Sequence, residues 1–292
     1  MPVESADHEW RSWLDSAVRE NQPLKWTGHG ASFALARAFA AALGERGGNS
    51  QAVSLSQCQG AGVCLVSQSA RDPGIAVALL VAEHGRSEGW AATPRLEVPG
   101  GGLVEWLPLS FLRRAIEVFS AGLGVPAWPR VSGPVLEPRE EILVVGRSVG
   151  PVRALAESAR HKLEELPLEV TSCEELGHGL HARLWRRPEA HRVRLLDGGE
   201  EERKAMMAVR QWCQQVGVAL VDERLQAPAG TGARPLEAFE YSLGLIEEMC
   251  VAHGIDWRTS RVPPGVDWLR DAGTGQDLKQ SNQKEGACAG CS

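Results

Sequence analysis

The sequence lacks the features that mark a membrane, secreted or nucleic-acid-binding protein. Its net charge is -6 and no long basic stretch occurs, which argues against a nucleic-acid partner. No apolar run approaches the roughly 20 residues needed to cross a bilayer. Residues 1–8 are acidic and have neither the basic start nor the apolar middle of a secretory signal. We therefore expect a cytoplasmic protein that binds neither nucleic acid nor membrane.

The sequence also lacks the cysteine density of a disulfide scaffold, since seven Cys are spread over 292 residues. Several cysteines lie in or beside apolar segments, where a reduced thiol packs as a small hydrophobe. Cys288 and Cys291 have zinc-like spacing but no second pair, so a mobile tail is favoured over a metal site. The sequence contains 43% hydrophobic and 23% charged residues, which is the composition of an ordinary globular protein.

Apolar periodicity predicts an α/β protein in which strands alternate with helices. Helices are predicted at residues 8–20, 32–43, 73–84, 107–123, 152–166, 200–216 and 235–253. Strands are predicted at residues 24–27, 52–55, 63–67, 90–93, 142–145, 168–171, 182–185, 192–196 and 218–221. Such alternation favours mostly parallel sheets that are covered on both faces.

The chain is predicted to contain two domains. Four prolines between positions 126 and 138 predict a linker at 126–139, which separates domains at 1–125 and 140–270. Superposing Gly28 on Gly146 aligns two turns and the helices after them, which suggests an internal duplication. The polar, Gly-rich tail 271–292 is predicted to be disordered.

Three strand–turn–helix junctions carry small polar residues. They are Gly28–Ser32, Ser67–Ser69 and Gly146–Ser148. Backbone N–H groups at a helix start, joined by short hydroxyls, suit a phosphate or another anion. Gly28–Ser32 lacks the Lys-Ser/Thr of a nucleotide P-loop and the third glycine of a dinucleotide fingerprint. The alternative is that these serines only cap helices.

The second of these junctions carries a family resemblance. Residues 66–72, Val-Ser-Gln-Ser-Ala-Arg-Asp, resemble the Ser-Gln-Ser-Gly-Glu-Thr signature of sugar isomerase (SIS) domains. Gly30-Ala31-Ser32 matches that family's Gly-Thr-Ser phosphate turn, and Gly146-Arg147 resembles the opening of the second SIS repeat. Residues 173–179 resemble the Glu-Leu-Lys-His-Gly-Pro segment in the isomerase half of glucosamine-6-phosphate synthase. The resemblance covers roughly residues 10–270.

This resemblance implies two tandem SIS-like three-layer αβα units with a shared phosphosugar site. The implied phosphate-binding residues are Ser32, Ser67, Gln68 and Ser69. His178 corresponds to the histidine that helps to open the sugar ring. Glu165 is the best match to the proton-shuttling glutamate, and Glu164 is the second choice.

The implied reaction moves a carbonyl between carbons 1 and 2 of a hexose or amino-sugar phosphate through an enediol. A carboxylate passes the carbon-bound proton and a histidine shuttles the ring oxygen's proton, so neither a metal nor another cofactor is needed. A deaminase or deglycase on the same substrates is a related possibility. The expected partners are the phosphorylated sugar or amino sugar and a second copy of the chain in a homodimer.

The alternative is a sensor that binds a phosphosugar without converting it. Asp72 stands where the family has Thr, and residues 261–265 lack the catalytic Lys of the family's C-terminal tail. These two departures favour the sensor, whereas Glu165 and His178 favour the enzyme. His178 and His181 with Glu174 and Glu175 have no defined metal-ligand spacing, so a polar turn is favoured there over a metal site.

Overall fold

The computed structural model describes the stretches of helix, strand and turn that form the α/β framework of the chain. The described residues are 3–28, 30–58, 62–66, 79–83, 95–98, 109–125, 140–145, 172–175, 192–197, 203–252, 254 and 256. The helices are α1 (Val3–Arg19), α2 (Ala31–Glu45), α3 (Leu109–Gly122), α4 (Arg203–Val216) and α5 (Ala233–Ala252). The strands are β1 (Leu24–Gly28), β2 (Ser50–Ala52), β3 (Gly62–Val66), β4 (Leu79–Glu83), β5 (Arg95–Val98), β6 (Glu140–Val145), β7 (Ser172–Glu175), β8 (Arg192–Asp197) and β9 (Ala219–Arg224).

Five strands form a wholly parallel sheet, here called sheet A. Its order is β2-β1-β3-β4-β5, and β1 lies between β2 and β3. Trp26 of β1 pairs in register with Ala52 on one side and Val63 on the other. Because parallel strands need crossover connections, α2 carries the chain from the end of β1 to the start of β2.

An aromatic cluster joins sheet A to its helical layer. Trp26 is fully buried and packs edge-on against Phe39 of α2 and Phe119 of α3, with ring centroids 5.4 and 5.6 Å away. Trp10 and Trp13 of α1 stack on each other at 6.0 Å and also contact Trp26. Burial of rings this large dominates core energetics, so the cluster fixes α1, α2 and α3 on one face of sheet A.

Four strands form a second parallel sheet, sheet B, in the order β7-β6-β8-β9. Val193 and Leu195 of β8 pack on α4 in a small core with Met206, whereas Leu196 belongs to the large core that contains α5. Both faces of sheet B are thus covered, as the all-parallel pairing requires.

Helix α5 lies between the two sheets and runs opposite to α2 and α3. It packs on both of these helices. At its start, the backbone N–H of Gly232 donates to Oε2 of Glu45, at the end of α2, at 3.1 Å. Towards its end, Glu247 pairs with Arg113 in the first half of α3. The described part of the chain contains no helix that is both long and apolar enough to span a bilayer.

Most sequence-based predictions of elements that fall within the described residues are confirmed, and four need correction. The strand predicted at 52–55 overlaps β2 only at Ala52, and Leu55–Gln57 is a short 3-10 helix. The helix predicted at 73–84 is wrong at its end, because Leu79–Glu83 is strand β4. Strands β5 and β7 were missed, and the strands predicted at 90–93, 168–171 and 182–185 lie outside the described residues. The same holds for the helix predicted at 152–166, the linker and the tail.

Gly62 gives the first test of the packing. A Cβ at this position would overlap Sγ of Cys58, which is fully buried. We expect Gly62→Ala to lower the free energy of unfolding by about 3 kcal/mol, the cost of overpacking a dense core. Urea unfolding measures this loss. Adding Cys58→Ala removes the obstructing sulfur, so Gly62→Ala should cost less free energy of unfolding in the Cys58→Ala background than in the parent. An equal cost in both backgrounds would contradict this packing.

Candidate functional site

The strand order of sheet A marks where a ligand would bind. In the order β2-β1-β3-β4-β5, the direction of chain progression reverses between β1 and β3. In open α/β sheets, such a reversal places the ligand-binding crevice at the carboxyl ends of the two strands concerned, which are β1 and β3 in this sheet. Gly28 ends β1 and pairs in register with Leu65, one residue before β3 ends at Val66. The candidate site is therefore the carboxyl edge of sheet A at β1 and β3.

The end of β1 and the start of α2 lie in close backbone contact. A Cβ on Gly28 would lie 2.8 Å from the carbonyl carbon of Ser32 and 3.0 Å from the backbone nitrogen of Phe33. Position 28 therefore needs glycine for the strand to pass this close to the helix start. Gly30 has φ +52, a left-handed conformation that glycine adopts without strain. The sequence thus brings the start of α2 directly onto the end of β1.

The first turn of α2 suits an anion. Gly30 occupies the N-cap position without a side-chain capping bond, and no acidic residue lies in the first turn. The helix dipole places partial positive charge here, and N–H groups of the first turn point out of the helix end. Ser32 lies in this turn and is 2% exposed. This geometry is the one that binds phosphate groups in many α/β proteins.

Only part of the predicted site falls within the described residues. Ser32 lies where the sequence predicted it, at the start of a helix on the carboxyl edge of a parallel sheet. The remaining predicted residues, Ser67, Gln68, Ser69, Glu164, Glu165 and His178, lie outside the described residues. Ser67 follows Val66 in the sequence, and Val66 ends the strand beside β1.

Sequence reasoning missed a buried charged cluster on sheet B. Arg194 of β8 is fully buried, and its Nη1 donates to Oε1 of Glu223 at 2.7 Å and to the hydroxyl of Tyr241 at 3.0 Å. Burial raises the pKa of Tyr241, so its hydroxyl stays protonated. The strand pattern places Arg194 between two apolar residues, which normally predicts a solvent-facing side chain.

Glu45, the last residue of α2, is a partly buried carboxylate. Burial raises the pKa of Glu45, and the N–H of Gly232 and the charge of Arg234 offset this only in part. The folded state therefore binds the proton more tightly than the unfolded state does, so stability from this group is lost as pH rises through the folded pKa. We therefore expect Glu45→Gln to change the free energy of unfolding more favourably at pH 7 than at pH 4. Urea unfolding at both pH values tests this; an equal effect at the two would contradict it.

No family model and no curated protein matches the sequence. Solved structures do match. Tagatose-6-phosphate ketose/aldose isomerase from Escherichia coli superposes with a TM-score of 0.55 at 10% identity, over 89% of this chain and 91% of that one. The C-terminal domain of glucosamine-fructose-6-phosphate aminotransferase from Francisella tularensis superposes with a TM-score of 0.53 at 9% identity, over 88% of this chain and 96% of that one. The chain therefore has an SIS-like α/β fold with parallel sheets.

Proposed function

We propose that this protein binds a phosphorylated sugar or amino sugar at the carboxyl edge of sheet A and interconverts its aldose and ketose forms. The observation that carries the proposal is the junction of β1 with α2, which presents an acid-free, uncapped helix start at the β1–β3 crevice. A phosphate is the sugar substituent that a helix start favours most. The fold is shared with structures whose names include a tagatose-6-phosphate isomerase, which supports the same ligand class.

In this proposal the phosphate is held from two strand ends. Ser32 contributes from the first turn of α2, and Ser67, Gln68 and Ser69 contribute from the segment after β3. Because β1 and β3 are neighbours, the segments that follow them start at the same edge of the sheet. Hydroxyl and amide groups from both would complement the backbone N–H groups of α2.

The proposed chemistry uses two side chains. Glu165, or Glu164 in its place, removes the proton from one of the two carbons and returns it to the other. His178 carries the ring oxygen's proton when the closed sugar opens, because histidine is the side chain best suited to proton transfer at neutral pH. Both steps are general acid–base catalysis, which contributes about 10²–10⁴-fold to rate for each well-placed group.

The proposal includes a tandem arrangement of two SIS-like units in a cytoplasmic homodimer. The order β7-β6-β8-β9 in sheet B repeats the order of the first four strands of sheet A, which supports duplication. Sedimentation velocity at micromolar concentration tests the dimer, for which we expect twice the mass of 31.5 kDa.

Calorimetry with matched ligands tests the ligand class. We expect hexose or amino-sugar 6-phosphates to bind and the same sugars without phosphate to bind at least tenfold more weakly, because the helix start recognises the phosphate. A ligand present at 100 times its dissociation constant should also stabilise the fold by about 2.7 kcal/mol. Equal affinity for phosphorylated and free sugars would contradict the proposal.

The alternative is a sensor that binds the same phosphosugar without turnover. Asp72 in place of the family's Thr favours this reading, because a carboxylate beside a phosphate repels it and alters how the ligand sits. Binding without any exchange of the sugar's carbon-bound proton would support the sensor over the isomerase.

A further inference from the structure

Helix α5 is a buried helix whose apolar contacts alone leave its position weakly defined. Buried apolar residues lie on opposite sides of its axis, with Leu236 and Phe239 on one side and Ala238 and Leu245 on the other, all 5% exposed or less. Apolar burial is non-directional and scales with area, so a helix that is apolar all round keeps most of its burial after sliding or turning. Directional contacts are therefore needed to define the position of α5 between α2, α3 and sheet B.

One polar anchor faces sheet B. Tyr241 of α5 accepts a hydrogen bond from the fully buried Arg194 at 3.0 Å, and Glu223 pairs with the same guanidinium nitrogen at 2.7 Å. Sliding α5 by one turn would carry the Tyr241 hydroxyl about 5.4 Å along the axis. Arg194 would then lose this acceptor, and a buried charge that loses a partner is costly.

A second polar anchor faces α3. The guanidinium of Arg113 lies between two carboxylates of α5, with Nε 3.2 Å from Oε1 of Glu240 and Nη2 2.6 Å from Oε2 of Glu247. Side-chain exposure is 11% for Arg113 and 12% for Glu240. Glu240 and Glu247 are seven residues apart, so they lie on one face of the helix, two turns from each other. The pair brackets Arg113 along the axis, so a shift in either direction separates it from one carboxylate.

The two anchors point in different directions. Glu240 and Tyr241 are adjacent, which places them about 100° apart around the helix. Either anchor is broken by sliding or by rotation of α5, so each resists both motions, from a different side of the helix. The first anchor is the Arg194 cluster (Arg194, Glu223 and Tyr241), and the second is the Arg113 cluster (Arg113, Glu240 and Glu247). We propose that these two clusters fix the axial position and rotation of α5 between sheet B and the helices of sheet A, rather than adding net stability. Buried polar groups are known to set register in helical assemblies in this way.

Replacing each cluster by groups of similar shape tests this. One variant carries Arg194→Met, Glu223→Gln and Tyr241→Phe, and the other carries Arg113→Met, Glu240→Gln and Glu247→Gln. A third variant combines all six changes. Spin-labelled non-natural residues at Arg37 on α2 and Val251 on α5, both exposed, report the distance between the helices by pulsed electron resonance.

We expect a single narrow distance in the labelled parent and in each three-residue variant, because the remaining anchor still holds α5. The combined variant should fold cooperatively and show a second population displaced by about 5 Å, one helical turn. A matched control removes an ion pair that does not involve α5, Arg210 with Asp222, by Arg210→Met and Asp222→Asn. This control should keep the single distance.

Two outcomes would overturn the proposal. A folded combined variant with the parent's single narrow distance would show that apolar packing alone positions α5. A combined variant that fails to fold would show that the clusters supply stability, not position.

Discussion

Replacing Glu165 by glutamine is expected to slow hydrogen exchange at the reacting carbons of the substrate by orders of magnitude. In deuterated water, the parent protein should place deuterium on carbon 1 or carbon 2 of a hexose or amino-sugar 6-phosphate, because an enediol intermediate gives up the carbon-bound proton. The amide keeps the shape of the carboxylate but cannot act as a base, so the exchange rate should fall about 10²–10⁴-fold. Proton NMR of the recovered sugar measures the label.

The control is binding by the same variant. Calorimetry should show that Glu165→Gln retains the parent's affinity for the sugar phosphate, since only the base is lost. Glu164→Gln should retain exchange if Glu165 is the shuttle, and should lose it if Glu164 holds that role. Exchange that continues unchanged in both variants would contradict the proposed chemistry.

Removing the two hydroxyls of the serine turn is expected to weaken phosphate binding. Ser67→Ala together with Ser69→Ala removes hydrogen bonds to a charged ligand, each of which contributes about 1.5–3 kcal/mol. We expect affinity for the best sugar phosphate to fall at least tenfold while the thermal unfolding transition stays cooperative. Isothermal calorimetry and a thermal melt on the same sample measure both.

A second serine pair with the same spacing provides the control. Ser54 and Ser56 are exposed, and their hydroxyls contact each other at 3.1 Å in the turn after β2. Ser54→Ala with Ser56→Ala should leave phosphosugar affinity unchanged, because β2 is not part of the β1–β3 crevice. Equal losses of affinity in the two double variants would contradict the site.

The elements around β1 could be predicted from the sequence because each carries a local signal. Leu24 and Trp26 alternate with Lys25 and Thr27 in a short segment that ends at Gly28, and the alanine-rich α2 begins at Ala31. The turn chemistry at Gly28 and Gly30 needs no tertiary information, since glycine alone fits the close approach and the positive φ. The same glycines predicted that Ser32 lies in the first turn of a helix.

Strand β4 was mispredicted because its signal is ambiguous. Residues 74–82 form a nearly continuous apolar run, which a buried strand and a buried helix both show. The pairing of β4 with β3 on one side and β5 on the other makes it a central strand. Central parallel strands are apolar on both faces, so no alternation marks them.

The Arg194 cluster could not be predicted, because its partners come from distant parts of the chain. Glu223 is 29 residues away and Tyr241 is 47 residues away. A charged residue between Val193 and Leu195 looks like the solvent side of a half-buried strand. Arg194 becomes a core residue only because α5 covers that face of sheet B, and this tertiary contact has no signal in the local sequence.

The most direct test of the phosphosugar site is hydrogen exchange at the first turn of α2. With a saturating hexose or amino-sugar 6-phosphate, the peptide that covers residues 28–35 should exchange more slowly, because the phosphate accepts hydrogen bonds from N–H groups of this turn. The peptide at the opposite end of α2, around Glu45, should exchange as it does in the free protein. A phosphosugar that binds and slows exchange elsewhere but leaves residues 28–35 unchanged would contradict the proposed site.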